Sequence, residues 1–144
     1  MTESGLPDPG TPFGQRVRRR LREEQIIWIT TVGNDCTPQP NPVGFVFQQD
    51  ESILIYSALE ANRNAHLLNR PRVALNFDGD GSGGDIMVFT GTARRVDDIP
   101  PAHENPGYLT KYAEAAAQAF GSVENFSRQF PVPLRVDITR TRGR

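Results

Sequence analysis

Residues 57–66 read SALEANRNAH, and Ser57, Asn62, Arg63 and Asn64 within it carry a hydroxyl, two amides and a guanidinium. These are the groups that hold a phosphate. The spacing of Ala61, Ala65 and Leu68 predicts a short helix over 60–70, ended by Pro71. Such a helix offers free N–H groups and a positive dipole end near residue 60. Arg63 in that first turn is electrostatically misplaced unless an anion binds beside it. A second reading needs no ligand: Glu60 offsets Arg63 locally and the asparagines act as ordinary caps.

Other chemistry is harder to build. Gly79, Gly81 and Gly84 satisfy G-x-G-x-x-G, but the residues that follow, IMVF, predict a strand. The helix N-terminus that receives phosphates in that motif is therefore missing. Asp78, Asp80, Ser82 and Gly83 imitate a calcium loop, yet Phe89 stands where the closing carboxylate belongs. His66 and His103 are far apart with no cysteine or carboxylate at ligand spacing, so no metal site is expected. Cys36 is the single cysteine. No nucleophile–base motif is present, and no catalytic residue is assigned. Any redox chemistry is expected to be carried by a cofactor.

The stretch TPQPNPVGFVF, residues 37–47, places Pro38, Pro40 and Pro42 at one parity. Residues two apart on a strand direct their N–H groups to the same edge, and proline has none. One edge is thus stripped of donors, which predicts a sheet edge or an opening. Gln39, Asn41 and Val43 keep their donors on the other edge.

The elements that must position these groups read as mainly β. Strands are predicted over 25–32, 43–49, 52–58, 72–77, 86–96 and along the C-terminal segment, where Leu134, Val136 and Ile138 alternate with charged residues. Helices are predicted at 12–24, with Thr11 as cap and Pro12 at its first position, at 60–70, at 107–121 and at 122–130. Without regular βα alternation, a mostly antiparallel barrel with helices over it fits best. Residues 1–12, rich in Pro, Gly and Asp, are expected to form a flexible tail before a single domain over 13–144.

The 144 residues carry a net charge of −1, with 16 Lys+Arg of which only Lys111 is lysine. That balance argues against a dedicated nucleic-acid binder. No apolar run suits a membrane span, and the N-terminus lacks a signal-peptide core, so a cytoplasmic protein is expected. Arg16, Arg18, Arg19, Arg20 and Arg22 crowd the first helix as a solvated face.

The run TTVGNDCTPQPNPVGFVFQQDESILIYSALEANRNAHLLNRPRVALNF resembles the core of the pyridoxamine 5′-phosphate oxidase-like split-barrel family. The resemblance rests on Asp35, Pro38, Pro42-Val43, the following hairpin, Arg63, Leu67 and Pro71-Arg72-Val73. Gly91-Thr92-Ala93 through Val96-Asp97-Asp98 continues it. The C-terminal YLTKY and VPLRV…TRTRG resemble an actinobacterial subgroup that uses the deazaflavin coenzyme F420. The resemblance implies a six-stranded antiparallel split β-barrel of the flavin-reductase type, and a homodimer with the cofactor at the subunit interface.

By the same resemblance Gln39, Pro40, Asn41, Pro42 and Val43 lie along the cofactor ring, with the backbone donors of Gln39, Asn41 and Val43 expected to face its polar rim. Ser57, Ala58, Asn62, Arg63, Asn64 and His66 surround its phosphate, with Arg63 in place of the family's lysine. Gly44 replaces a bulky residue, which is expected to open the ring face, and the Arg-rich helix could meet the deazaflavin's carboxylate tail. The family's long C-terminal region is missing, which argues against pyridoxamine phosphate oxidation itself. The implied function is F420-dependent hydride transfer to an unsaturated or quinone-like substrate. A flavin mononucleotide (FMN) oxidoreductase and a non-catalytic flavin, deazaflavin or haem binder are the alternatives.

Overall fold

A computed structural model describes residues 4–144. Helix α1 (Pro12–Glu23) starts where Thr11 Oγ1 accepts from the Gly14 N–H at 3.0 Å, with proline at its head. It is followed by β1 (Ile27–Val32), β2 (Pro38–Val43), β3 (Val46–Phe47), β4 (Ile53–Ser57), α2 (Asn62–Asn69), β5 (Arg72–Asn76) and β6 (Met87–Arg95). A single 3-10 turn at Ala102–Glu104, α3 (Pro106–Phe120), α4 (Val123–Gln129) and β7 (Val132–Gly143) complete the chain. The glycine loop leads into β6 rather than a helix, so the phosphate-loop geometry is absent there.

All strand pairs are antiparallel, in the order β2-β1-β5-β6-β7-β4-β3. The two ends of this sheet, β2 and β3, are joined by only Gly44 and Phe45. The sheet therefore curls until its ends meet, which makes a barrel split at residues 44–45. Counted as one bent strand, β2 and β3 give the expected six; counted by their ladders they make seven.

The proline stretch itself is a strand. Pro38, Pro40 and Pro42 lie opposite Val32, Thr30 and Trp28 of β1. Prolines cannot donate, so the donors that hold this ladder are Gln39, Asn41 and Val43, which face β1. The expectation that these three N–H groups are free for a ring is thus corrected: β1 uses them. The outer edge keeps only carbonyl acceptors.

Strand β4 is buried along its whole length. Ile53 and Ile55 face the barrel core with Phe45, Leu75, Phe89 and Val136. Leu54 and Tyr56 face a second apolar layer made with Tyr108, Tyr112 and Ala116 of α3, against which Phe126 and Phe130 pack. Fully buried Val17 and Leu21 seat α1 on the core. The flexible tail is also corrected for residues 4–12: Leu6 is buried in the core and Thr141 Oγ1 donates to the Gly5 carbonyl at 2.7 Å. One apolar side chain and one close backbone approach are enough to dock this segment.

The arginines of α1 are mostly committed. Arg18 pairs with Glu51 at 2.6 Å, Arg20 with Glu24 and Asp85 at 3.1 Å each, and Arg16 with Asp85 at 3.5 Å. They clamp the helix to the β3–β4 turn and to the loop before β6, so the face is paired rather than solvated. Only Arg19 and Arg22 are exposed.

The split is stapled by α3. Tyr112 Oη donates to the Gln25 carbonyl at 2.7 Å, accepts from the Phe45 N–H at 2.9 Å and lies 3.0 Å from the Phe45 carbonyl. Lys111 Nζ donates to that same carbonyl at 2.9 Å and stands 3.6 Å above the Phe45 ring. Tyr112→Phe deprives buried groups of their partner and should lower unfolding free energy by about 1–3 kcal/mol. Urea denaturation checks this; unchanged stability would mean the phenol is no staple.

Lys111 also gives the fold a pH signature. Burial lowers its pKa to about 8, against a raising contribution from Glu24. Between about pH 8 and 10 the unfolded chain keeps a proton that the folded chain has released, so stability should rise with pH. Above that window the trend reverses, because burial holds Tyr112 protonated up to about 12 while unfolded tyrosines ionise. Lys111→Met should abolish the rise in a denaturation series across pH.

Candidate functional site

Helix α2 begins at Ala61 with no side-chain cap, so its leading N–H groups are open. Arg63 is half-buried there, and its one polar contact among the described residues is Nη1 to Ser57 Oγ at 3.3 Å. Ser57 is fully buried. Among the described residues no carboxylate lies within ion-pair distance of Arg63, so the local offset by Glu60 does not form. Desolvation lowers the Arg63 pKa. A guanidinium withdrawn from water with no counter-charge is costly, and an arriving anion removes that cost.

A polar cavity of about 700 Å³ opens at this point, lined by Gln39, Asn41, Asn62, Arg63 and His66 together with Thr31, Asp35 and Glu60. His66 Nδ1 bonds Thr31 Oγ1 at 2.9 Å. Its ring packs on Gly33, where an added Cβ would come 3.0 Å from Nε2. Asp35 accepts from the Thr37 N–H at 3.0 Å, and that bond is the first cause of its lowered pKa. The cavity therefore pairs one withdrawn cation with carboxylate and amide acceptors, a set suited to a phosphate joined to a hydroxylated chain.

Arg63 also lines a second cavity, of about 380 Å³, on the other side. Its walls are Pro42, Val43 and Phe45 from the split, Leu54 and Tyr56 from β4, and residues of α3 and α4. Ala115, Ala116 and Ala119 form one wall because their side chains are too short to fill it. Tyr108 stacks between Tyr112 and Phe126, with centroids 4.9 Å away in both cases. This space is apolar and aromatic, as a flat ring requires.

Six sequence-predicted residues thus meet around Arg63: Gln39, Asn41, Asn62 and His66 on the polar side, Pro42 and Val43 on the apolar side. Ser57 supports the guanidinium. Asn64 does not join the cradle, since its amide donates to the Ala58 carbonyl at 2.8 Å and to Leu59 at 3.3 Å. Ala58 serves as that acceptor and as one for the Ala61 N–H. Pro40 lines neither cavity. The opening expected at Gly44 is filled by Tyr112, whose hydroxyl lies 3.4 Å from where a Cβ would sit.

The aromatic wall was not predicted as a site, although YLTKY at i, i+4 spacing followed by alanines is the pattern that forms it. Tyr56 donates to the Pro100 carbonyl at 2.6 Å and accepts from Asn105 at 2.9 Å.

The family described as pyridoxamine 5′-phosphate oxidase matches residues 13–131, so the chain belongs to that family. No curated protein matches. Among solved structures, a conserved hypothetical protein from Mycobacterium tuberculosis is 17% identical, with TM-score 0.70 over 99% of this chain and 88% of that one. An F420 reductase is also 17% identical, with TM-score 0.60 over 87% and 94%. The haem storage protein HutZ from Vibrio cholerae is 14% identical, with TM-score 0.61 over 90% and 92%. At these identities the likeness establishes the split-barrel fold.

Proposed function

We propose that this family member is an oxidoreductase that binds coenzyme F420 and passes hydride between it and an unsaturated or quinone-like organic molecule. The observation that carries this is Arg63, a half-buried guanidinium with no carboxylate partner among the described residues, standing between a polar and an aromatic cavity. When bound, the deazaflavin supplies hydride transfer. Arg63 and the open N–H groups of α2 hold the phosphate. Gln39, Asn41, Asp35 and Glu60 meet the hydroxylated chain. The rigid Pro42–Val43 backbone backs the ring, and the aromatic cavity beside it takes the organic substrate and keeps water from the reacting face.

Flavin mononucleotide shares the ring, chain and phosphate, so the carboxylate tail decides between the two. With most of the α1 arginines already paired, that helix offers little to the tail. A third groove of about 630 Å³ shares Glu60, Ala61 and Asn62 with the polar cavity and runs to exposed Arg94 and Arg95. A tail leaving the phosphate site along this groove meets both guanidiniums. The haem reading has less support: His103 lines none of these cavities, and the His66 Nδ1 is engaged by Thr31. A homodimer also belongs to this proposal. Ile26, Leu59 and Leu68 are exposed large apolar side chains on the rims of these cavities, as a surface covered by a second copy would have.

Titration with F420 and FMN, followed by ring fluorescence or absorbance, tests the reading. F420 should bind more tightly. Arg63→Ala should weaken it by roughly 1.5–3 kcal/mol, and Arg94→Ala with Arg95→Ala should cost F420 about 0–1 kcal/mol per arginine while leaving FMN unchanged. Tight FMN binding with no affinity for F420 would sink the proposal. For the assembly, sedimentation should give a species of twice the chain mass, and a monomer would overturn the dimer.

A further inference from the structure

The chain has three tyrosines, and all of them line the aromatic cavity. Two of their hydroxyls have work inside the fold. Tyr56 is tied to Pro100 and Asn105, and Tyr112 to Gln25 and Phe45. The third hydroxyl, on Tyr108, has no hydrogen-bond partner among the described residues, although that side chain is only 5% exposed. Its ring has no freedom to seek one. It is stacked on Tyr112 (27° between planes) and on Phe126 (21°), and it meets Tyr56 edge-on at 5.6 Å. A lone, rigidly held hydroxyl that no described protein group satisfies is open to whatever enters the chamber, solvent or ligand, as its acceptor.

We propose that the Tyr108 hydroxyl is a substrate-contacting group, donating a hydrogen bond to the carbonyl-type oxygen of a flat, otherwise apolar molecule held between α3 and β4. The proposal rests on the reading of this cavity as the substrate end of the site. The chemistry favours an acceptor on the ligand. Burial raises the Tyr108 pKa, and the nearby hydroxyls of Tyr112 and Tyr56 add to that, so Tyr108 keeps its proton at neutral pH. The surrounding alanine and phenylalanine walls offer a ligand contact area without hydrogen bonds, and Arg63, which also lines the cavity, is assigned to the cofactor's anion. One polar point on an apolar wall fixes orientation, which is what presents one carbon of a conjugated carbonyl to a ring bound beside Arg63.

The test uses 2-acetylnaphthalene and its carbonyl-free counterpart 2-isopropylnaphthalene, neither of which alkylates Cys36, with the cofactor-free full chain. Calorimetry should show the ketone binding roughly 3- to 10-fold more tightly than the hydrocarbon. Tyr108→Phe should erase that preference while hydrocarbon affinity stays the same, and Tyr56→Phe, whose hydroxyl is already occupied, should retain it. No preference in the native chain, a preference that survives Tyr108→Phe, or no binding of either probe would each overturn the contact. F420 affinity of Tyr108→Phe should be unchanged; its loss would assign the hydroxyl to the cofactor instead and also overturn the proposal. A native chain that binds no F420 but shows the Tyr108-dependent preference would support the contact while removing the F420 reading.

Discussion

Strand β2 can donate hydrogen bonds on one side only, and the architecture of the site follows from that restriction. With Pro38, Pro40 and Pro42 turned outward, Gln39, Asn41 and Val43 must serve β1. The outer edge then carries acceptors without donors, so no further strand can form a full ladder along it. The sheet can close only through the backbone itself, by bending at Gly44–Phe45 and continuing as β3 on the far edge. Two consecutive pieces of one strand cannot pair with each other at that bend, and the wall stays open there. Helix α3 covers the opening with Tyr112 and Lys111 and leaves the aromatic cavity beneath its alanines.

The same bend brings together two segments with opposite chemistry. Strand β2 and the split contribute apolar, donor-poor backbone, while the N-terminus of α2 contributes a cation and open N–H groups. Arg63 is where they meet, since it lines both cavities. Ser57 is buried at the end of β4, and Asn64 ties the β4–α2 connection through Ala58 and Leu59. Asn64 is thus as necessary to the cradle as a ligand residue, though it holds the loop rather than the anion.

Local signals made much of this legible in the sequence. Alternation and turn residues marked the strands, the capping Thr11-Pro12 marked α1, and proline parity marked the open edge. An arginine in the first turn of a short helix stood out because its charge conflicts with the helix dipole, and it is the residue that lines both cavities. What stayed hidden depended on partners distant along the chain. Tyr112 bonds residues 87 and 67 positions away, so nothing near Gly44 announces that the space there is filled. The α1 arginines looked solvated because Glu51 and Asp85, which pair with them, come from other loops. Parity identified the stripped edge but not the neighbour that would use the remaining donors; only the pairing with β1 decides that.

Selection in such a site comes from two independent physical filters. The half-buried Arg63 beside an uncapped helix end discriminates by charge, and its strength comes from having no carboxylate among the described residues to satisfy it. The aromatic cavity discriminates by shape, since its small alanines and stacked rings admit a flat body and offer it little polarity. A neutral flat molecule passes the second filter without the first, and a small anion passes the first without the second. An anion carried on a hydroxylated chain suits the first, because the polar cavity beside Arg63 is lined by acceptors for that chain, and a flat apolar body suits the second. Arg63 lines both cavities, so that binding at one registers the position of the other.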